Sequence, residues 1–133
     1  MILDTTFCID LLRDQTGGKN TGASKKLSAL GEIKISIPIF VMCELHAGAR
    51  LSSNPDTETA KINRLSEFIE VIYPSETFAV NYGQEEVALR QKGTPIPTMD
   101  LLIGTIAKYL GSPLLTRDII HYKKINGLIV ETY

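Results

Sequence analysis

Strand-like and helix-like patterns take turns from one end of this chain to the other, and that alternation limits its fold more than any other feature. Met1–Leu3 is a short apolar run. An amphipathic stretch opens at Thr5 and Thr6 and runs to about Arg13, with Phe7 and Leu11–Leu12 setting its faces. Asp14–Gly22 is polar and reads as a loop. Ala23, Leu27 and Leu30 then recur at helical spacing, with Lys25 and Lys26 opposite and Gly31 as a stop. Ile33, Ile35 and Ile37 alternate with Lys34 and Ser36, which predicts a strand. Pro38 suits the first turn of a helix over Ile39–Arg50. A loop at Ser52–Thr57, a helix at Glu58–Phe68 and a short strand at Glu70–Tyr73 follow. Ser75 or Thr77 caps the next helix, whose apolar positions are Phe78, Val80, Tyr82, Val87 and Leu89 and which ends near Lys92. Pro95 and Pro97 make Thr94–Thr98 an extended loop. Thr98 then caps a strongly apolar helix, Met99–Leu110, of the kind that is largely buried. Leu114–Thr116 reads as a buried strand, Ile119–Lys124 as a turn or short helix, and Leu128–Val130 as a last strand. This order predicts an α/β fold with a parallel sheet of about five strands and helices on both faces. A length of 133 residues suits one domain spanning 1–133.

Composition narrows the class. Hydrophobic residues at 44% and charged residues at 22% describe a globular chain. The longest apolar stretch, Ile35–Cys43, is interrupted by Ser36 and Pro38 and falls far short of the roughly 20 residues a membrane helix needs. With no basic segment ahead of an apolar run, the expectation is a soluble cytoplasmic protein with no membrane partner. The net charge of −1 carries no global nucleic-acid signal. Cys8 and Cys43 both sit in apolar patterns and are expected as buried free thiols. His46 and His121 are the only histidines, which argues against a histidine-based metal site.

Four acids stand out against this background. Asp4 directly follows the opening strand, and Asp118 follows the strand at Leu114–Thr116. Asp100 sits in the first turn of the apolar helix, and Glu44 lies between Cys43 and Leu45. Each has a plain structural role: Asp4 as a helix cap, Glu44 on a solvated helix edge, and Asp100 facing the helix dipole for about 0.3–1 kcal/mol. Taken together they point elsewhere. Ligands of open α/β sheets bind at the carboxyl ends of the strands, where Asp4 and Asp118 converge if their strands are neighbours. Clustered carboxylates must bind protons unless a cation lies among them. Oxygen-only clusters suit Mg²⁺ or Mn²⁺. Such an ion lowers the pKa of a bound water and offsets charge on a phosphoryl oxygen, so the set points toward phosphate-ester chemistry.

The motifs Asp4-Thr5-Thr6, Glu44-Leu45-x-x-Gly48-Ala49, Asp100-Leu101-Leu102-Ile103-x-x-x-Ala107 and Leu115-Thr116-x-Asp118-x-x-His121-Tyr122 occur in the order found in PIN domains. From Met1 to Val130 the chain resembles the VapC-type toxins of prokaryotic toxin–antitoxin pairs. The resemblance implies a single PIN-like α/β/α sandwich and an Mg²⁺- or Mn²⁺-dependent endoribonuclease that cuts single-stranded or looped RNA. It also implies a homodimer and inhibition by a VapB-like antitoxin. By motif, Asp4, Glu44, Asp100 and Asp118 match the family's catalytic acids. Asp4 and Asp100 would ligate the metal, with Glu44 and Asp118 reaching it through water. The last acidic position can be Asn in relatives. Thr6 and Thr116 match hydroxyl positions that support the acids, although Thr5 is adjacent to Thr6. Tyr122 stands where Phe is more usual, and the same packing role is expected.

Arg13, Arg50, Arg90 and Arg117 are candidates for bidentate phosphate contacts, each against the plain alternative of surface charge. Arg117 leads because it adjoins Asp118. His121 is a candidate for substrate contact or for a structural role. The Asp14–Lys19 and Lys92–Pro97 loops are candidate contacts for RNA or partner. A basic antitoxin peptide suits an acidic groove. Two other readings compete. A non-catalytic PIN-like RNA-binding module is disfavoured by the presence of all four acids. A receiver-like phosphoacceptor domain lacks its adjacent acidic pair, since Asp10 lies well along the helix from Asp4.

Overall fold

β1 (Ile2–Leu3) lies at the centre of a parallel sheet, and everything that positions the site follows from that. In this computed structural model, which describes residues 1–15, 17 and 21–133, the chain continues through α1 (Thr5–Gln15), α2 (Ala23–Leu30), β2 (Ser36–Pro38), α3 (Ile39–Arg50) and α4 (Pro55–Phe68). It then forms β3 (Glu70–Ile72), α5 (Phe78–Gln91), α6 (Thr98–Tyr109), β4 (Leu114–Leu115), α7 (Ile119–Tyr122) and β5 (Val130–Glu131). Among the described residues the strand order is β3-β2-β1-β4-β5, with every pairing parallel. Ile2 pairs with Ser36 on one side and Leu114 on the other, and Leu3 pairs with Leu115. The chain therefore winds outward from β1 to β3, returns, and winds outward again through β4 and β5. Right-handed crossovers then send α1–α4 to one face and α5–α7 to the opposite face. A strand covered on both faces must be apolar throughout, and Ile2, Leu3, Ile37, Leu114 and Leu115 are all buried.

The core extends from these strands into Phe7 and Leu11 of α1, Val41 and Leu45 of α3, and Leu101, Ile103 and Ala107 of α6. α6 is buried around most of its circumference, as its composition predicts. Gly104 lets the segment after α7 pack closely: a Cβ at this position would lie 2.4 Å from Ile125 Cδ1, so the end of that side chain would have to shift to admit it. Asp14 ties α1 to α2 by accepting from Thr21 N at 2.7 Å and Ser24 N at 3.0 Å, bonds that hold its carboxyl below the ordinary range.

Several expectations need correction. Cys8 is buried, but Cys43 is exposed, because α3 turns only Val41, Met42, Leu45 and Ala49 inward. Val80 and Val87 are also exposed; α5 buries Glu85 and Leu89 instead. The strand expected over Ile33–Ile37 is confined to Ser36–Pro38, and Ile33 is exposed. Pro38 closes that strand instead of opening α3, and Pro97 takes the capping position expected of Thr98. The helix expected from Glu58 starts at Pro55, which fits a proline's fixed φ in a first helical turn. Of the expected Asp14–Lys19 loop, Asp14 and Gln15 finish α1, while Thr16, Gly18 and Lys19 lie outside the described residues. Among the described residues no helix is long and apolar enough to cross a membrane.

Candidate active site

The strand order reverses between β1 and β4, and the crevice at their carboxyl ends is where an open α/β sheet binds ligands. Asp4 leaves β1 at this rim, its N–H donating to Leu115 O of β4 at 3.2 Å. Its side chain is only 2% exposed and both oxygens are engaged. Thr6 Oγ1 donates to it at 2.9–3.0 Å, Phe7 N at 2.9 Å and Thr116 Oγ1 at 2.6 Å. Thr116 Oγ1 also accepts from Asp118 N at 2.9 Å, and Thr6 Oγ1 accepts from Arg117 N at 3.3 Å. The two hydroxyls expected as supports thus fix Asp4 and stitch the exit of β1 to the exit of β4.

Glu44, on α3, is held by the other threonine: Thr5 Oγ1 donates to its Oε2. Both members of the Thr5-Thr6 pair therefore support an acid, and Thr5 is the one that sequence reading left aside. Asp100, in the first turn of α6, and Asp118, the N-cap of α7, lie on either side of His121. His121 Nδ1 is 2.8 Å from Asp100 Oδ2 and 3.3 Å from Asp118 Oδ2. Among the described residues these three form the group of potential metal ligands with donor atoms all within 4.8 Å of one another. Asp4 and Glu44 stand outside that tight set, although their charges reach it.

The electrostatics describe a rim short of positive charge. Burial pushes the Asp4 carboxyl above its ordinary value; Thr116, Phe7 N–H and Thr6 oppose this, and Asp100 adds to it. Asp100 is also raised, first by burial; His121 opposes, while Asp118 and Glu44 push in the same direction as burial. The buried Tyr122 hydroxyl is held well above its ordinary range by burial and then by Asp4, Asp100, Glu44 and Asp118. The charges of all four acids act on this one buried hydroxyl.

A divalent cation fits this donor set. Carboxylate oxygens dominate it, and His121 Nδ1 is shielded from solvent without a hydrogen bond of good geometry. Asp100 and Asp118 bring carboxylate oxygens within 4.8 Å of each other, and Asp4, expected as a ligand beside Asp100, stands outside that group. Three of the four candidate arginines face acids of this chain. Arg117 turns back to Asp10, with Nη1 2.7 Å from Oδ2, and Arg90 pairs with Glu86 at 2.6 Å. Arg13 Nη1 lies 3.6 Å from Asp10 Oδ1. Asp10 is fully buried and also accepts from Tyr133 Oη at 2.9 Å. Beside Glu44, a groove of about 410 Å³ runs between α1, α3 and α4, lined by Ile9, Leu12, Leu45, Ala49 and Ile62.

Comparison with known proteins places this architecture. Residues 1–127 match the family model described as PIN domain. The chain is similar to "Ribonuclease VapC1" of Haemophilus influenzae (strain R2866), at 28% identity over 96% of this chain and 92% of that one. It is similar to "Ribonuclease VapC2" of Rickettsia felis, at 31% identity over 74% of each chain. Among solved structures it resembles a chain of VapBC2 from Rickettsia felis bound to a DNA fragment from their promoter. That match has a TM-score of 0.89 and 27% identity, and it covers 99% of this chain and 97% of that one.

Proposed function

The chain belongs to the PIN-domain family, and from that premise we propose that it is a metal-dependent endoribonuclease toxin of the VapC kind, held in check by a VapB-like antitoxin. The observation that supports this reading most is the placing of Asp100 and Asp118 on either side of His121, with the charge of Glu44 acting on Asp100 and the charge of Asp100 acting on Asp4. The names of the ribonuclease relatives and the toxin–antitoxin complex among the solved structures support it.

The rim's own residues prepare the reaction. Asp100 and Asp118 would hold an Mg²⁺ or Mn²⁺ ion, with Asp4 and Glu44 completing its surroundings directly or through water. When bound, such an ion lowers the pKa of an attacking water and offsets charge developing on the phosphoryl oxygens. Thr6, Thr116 and the Phe7 N–H keep Asp4 in one orientation, and Thr5 does the same for Glu44. Hydrogen bonds to the ionised form make these carboxylates ready ligands. The anionic rim repels an RNA backbone until a cation is present, which couples substrate approach to metal. The groove beside Glu44 suits an apolar antitoxin segment whose basic side chain reaches the acids. The family also implies a homodimer, which light scattering on the purified chain would measure.

The test is incubation of the purified chain with a mixed RNA pool in Mn²⁺, Mg²⁺ or EDTA, beside Asp100→Ala. Metal-dependent cutting that is absent in the variant is expected. Cutting that persists in EDTA, or in the variant, would overturn the reading. Repeating the assay after denaturing and refolding the chain away from any bound inhibitor extends the test to a chain that is inactive as purified.

A further inference from the structure

We infer that His121 is a direct nitrogen ligand of the divalent ion, completing a set with Asp100 and Asp118, and that it turns the site's preference away from Mg²⁺ toward a first-row transition ion such as Mn²⁺. This deepens the nuclease reading and rests on it.

The geometry is specific. Neighbouring ligands about 2.1 Å from an octahedral ion lie about 3 Å apart, and His121 Nδ1 keeps 2.8 and 3.3 Å from the two carboxylate oxygens. Asp118 caps α7 and His121, three residues on, lies in its single turn, which brings Nδ1 within 3.3 Å of Asp118 Oδ2. A carboxylate and a histidine at that spacing supply paired ligands in helical carboxylate metal sites. Asp118 is fixed by its own bonds: its N–H donates to Thr116 Oγ1, and its Oδ1 accepts from Ile120 N at 3.3 Å. That leaves Oδ2 facing the imidazole.

Nδ1 is shielded from solvent and faces both carboxylates, its 2.8 Å contact with Asp100 falling outside good hydrogen-bond geometry. With an ion between them, the imidazole would present its Nδ1 lone pair to the point the two carboxylates share. Mg²⁺ strongly prefers oxygen, whereas imidazole nitrogen suits transition ions. One nitrogen among oxygens is enough to separate the two.

The experiment is electron spin echo envelope modulation on Mn²⁺ added to the full chain, freed of any partner. Modulation from a directly bound nitrogen is expected. It should change to the pattern of the heavier isotope when histidine alone is labelled with that isotope, and it should vanish in His121→Ala while His46 remains. By calorimetry, His121→Ala should weaken Mn²⁺ binding by roughly tenfold or more and Mg²⁺ binding by less. If Mn²⁺ binds with no nitrogen modulation, His121 is not a ligand and the nuclease reading survives. Equal losses for both ions would overturn the selectivity. If Mn²⁺ does not bind the wild-type chain at all, the inference and the metal-dependent reading fall together. Should His121→Ala fail to fold, the isotope-labelled wild-type chain decides the question without it.

Discussion

Asp4 and Asp10 stand at the two ends of one short stretch, both are buried, and their surroundings are opposite in kind. Asp10 brings its own cation: Arg117 at 2.7 Å, with the Tyr133 hydroxyl at 2.9 Å and Arg13 at 3.6 Å. Tyr133 also packs edge-on against Phe7, with ring centroids 4.9 Å apart, so this network closes one flank of the domain. Asp4 receives two hydroxyls and a backbone N–H, and the charge of another acid, Asp100, acts on it. Asp10 finds its cations within the folded chain: Oδ2 is bonded to Arg117 and Tyr133, while the buried Oδ1 has no hydrogen-bond partner and faces Arg13 at 3.6 Å. A buried carboxylate supported only by neutral donors and surrounded by acids is complete when a cation arrives from outside. On the proposed function the difference separates a structural acid from a candidate catalytic one, although both read simply as Asp.

The sharpest way to break this comparison is to neutralise each acid in turn. Asp4→Asn is expected to lower RNA cleavage by roughly 10²–10³-fold or more while circular dichroism shows the fold unchanged. Equal cleavage would remove Asp4 from the mechanism. Asp10→Asn is expected to do the reverse. It loses charge-assisted bonds worth about 1.5–3 kcal/mol, read by urea unfolding, while cleavage stays within a few-fold of wild type. Loss of activity without loss of stability would show that Asp10 belongs to the site after all.

A subtler contrast comes from pH. The Asp100 carboxyl is raised in the folded chain above its ordinary value of 3.8. The folded state therefore holds that proton more tightly than the unfolded state. The associated stability is full below the ordinary value and is lost as pH rises through the raised one. In EDTA, Asp100→Asn should unfold at a higher temperature than wild type near neutral pH, and the gap should close on acidification. Mn²⁺ at about a hundred times its dissociation constant should then stabilise wild type by about 2.7 kcal/mol, with no matching gain in the variant. A gap that widens on acidification would contradict this sign. The smallest expected effect belongs to Thr5→Val, which removes one hydroxyl from Glu44. A loss of about 0.5–1.5 kcal/mol, or up to roughly tenfold in cleavage, is expected in a steady-state assay.

The rim was legible in the sequence because its acids occupy positions with a meaning along the chain. Asp4 and Asp118 follow apolar strands, and Asp100 opens an apolar helix, so the parallel-sheet rule alone brings them together. The Asp10 network was not legible. A charged residue within a helix reads as solvent-facing, and its partners Arg117 and Tyr133 come from the far end of the chain. For the same reason the pairing of Arg117, a candidate for phosphate contact, with Asp10 could not be read from the chain. Thr5 was overlooked because adjacent hydroxyls are equivalent in a string; the turn into α1 sends one to Asp4 and the next to Glu44. Counting histidines said nothing about where α7 directs a single imidazole, which lies between Asp100 and Asp118. Strand ends, Cys43 and the outer positions of α5 depend on tertiary contacts that local periodicity does not carry.

The central claim is that the rim needs an external cation and the Asp10 region does not. Calorimetric titration of Mn²⁺ into wild type, Asp10→Asn and Asp100→Asn tests it most directly. The account predicts that wild type and Asp10→Asn bind Mn²⁺ alike and that Asp100→Asn loses the binding. Equal binding by wild type and Asp100→Asn, or an equal loss in Asp10→Asn and Asp100→Asn, would contradict it.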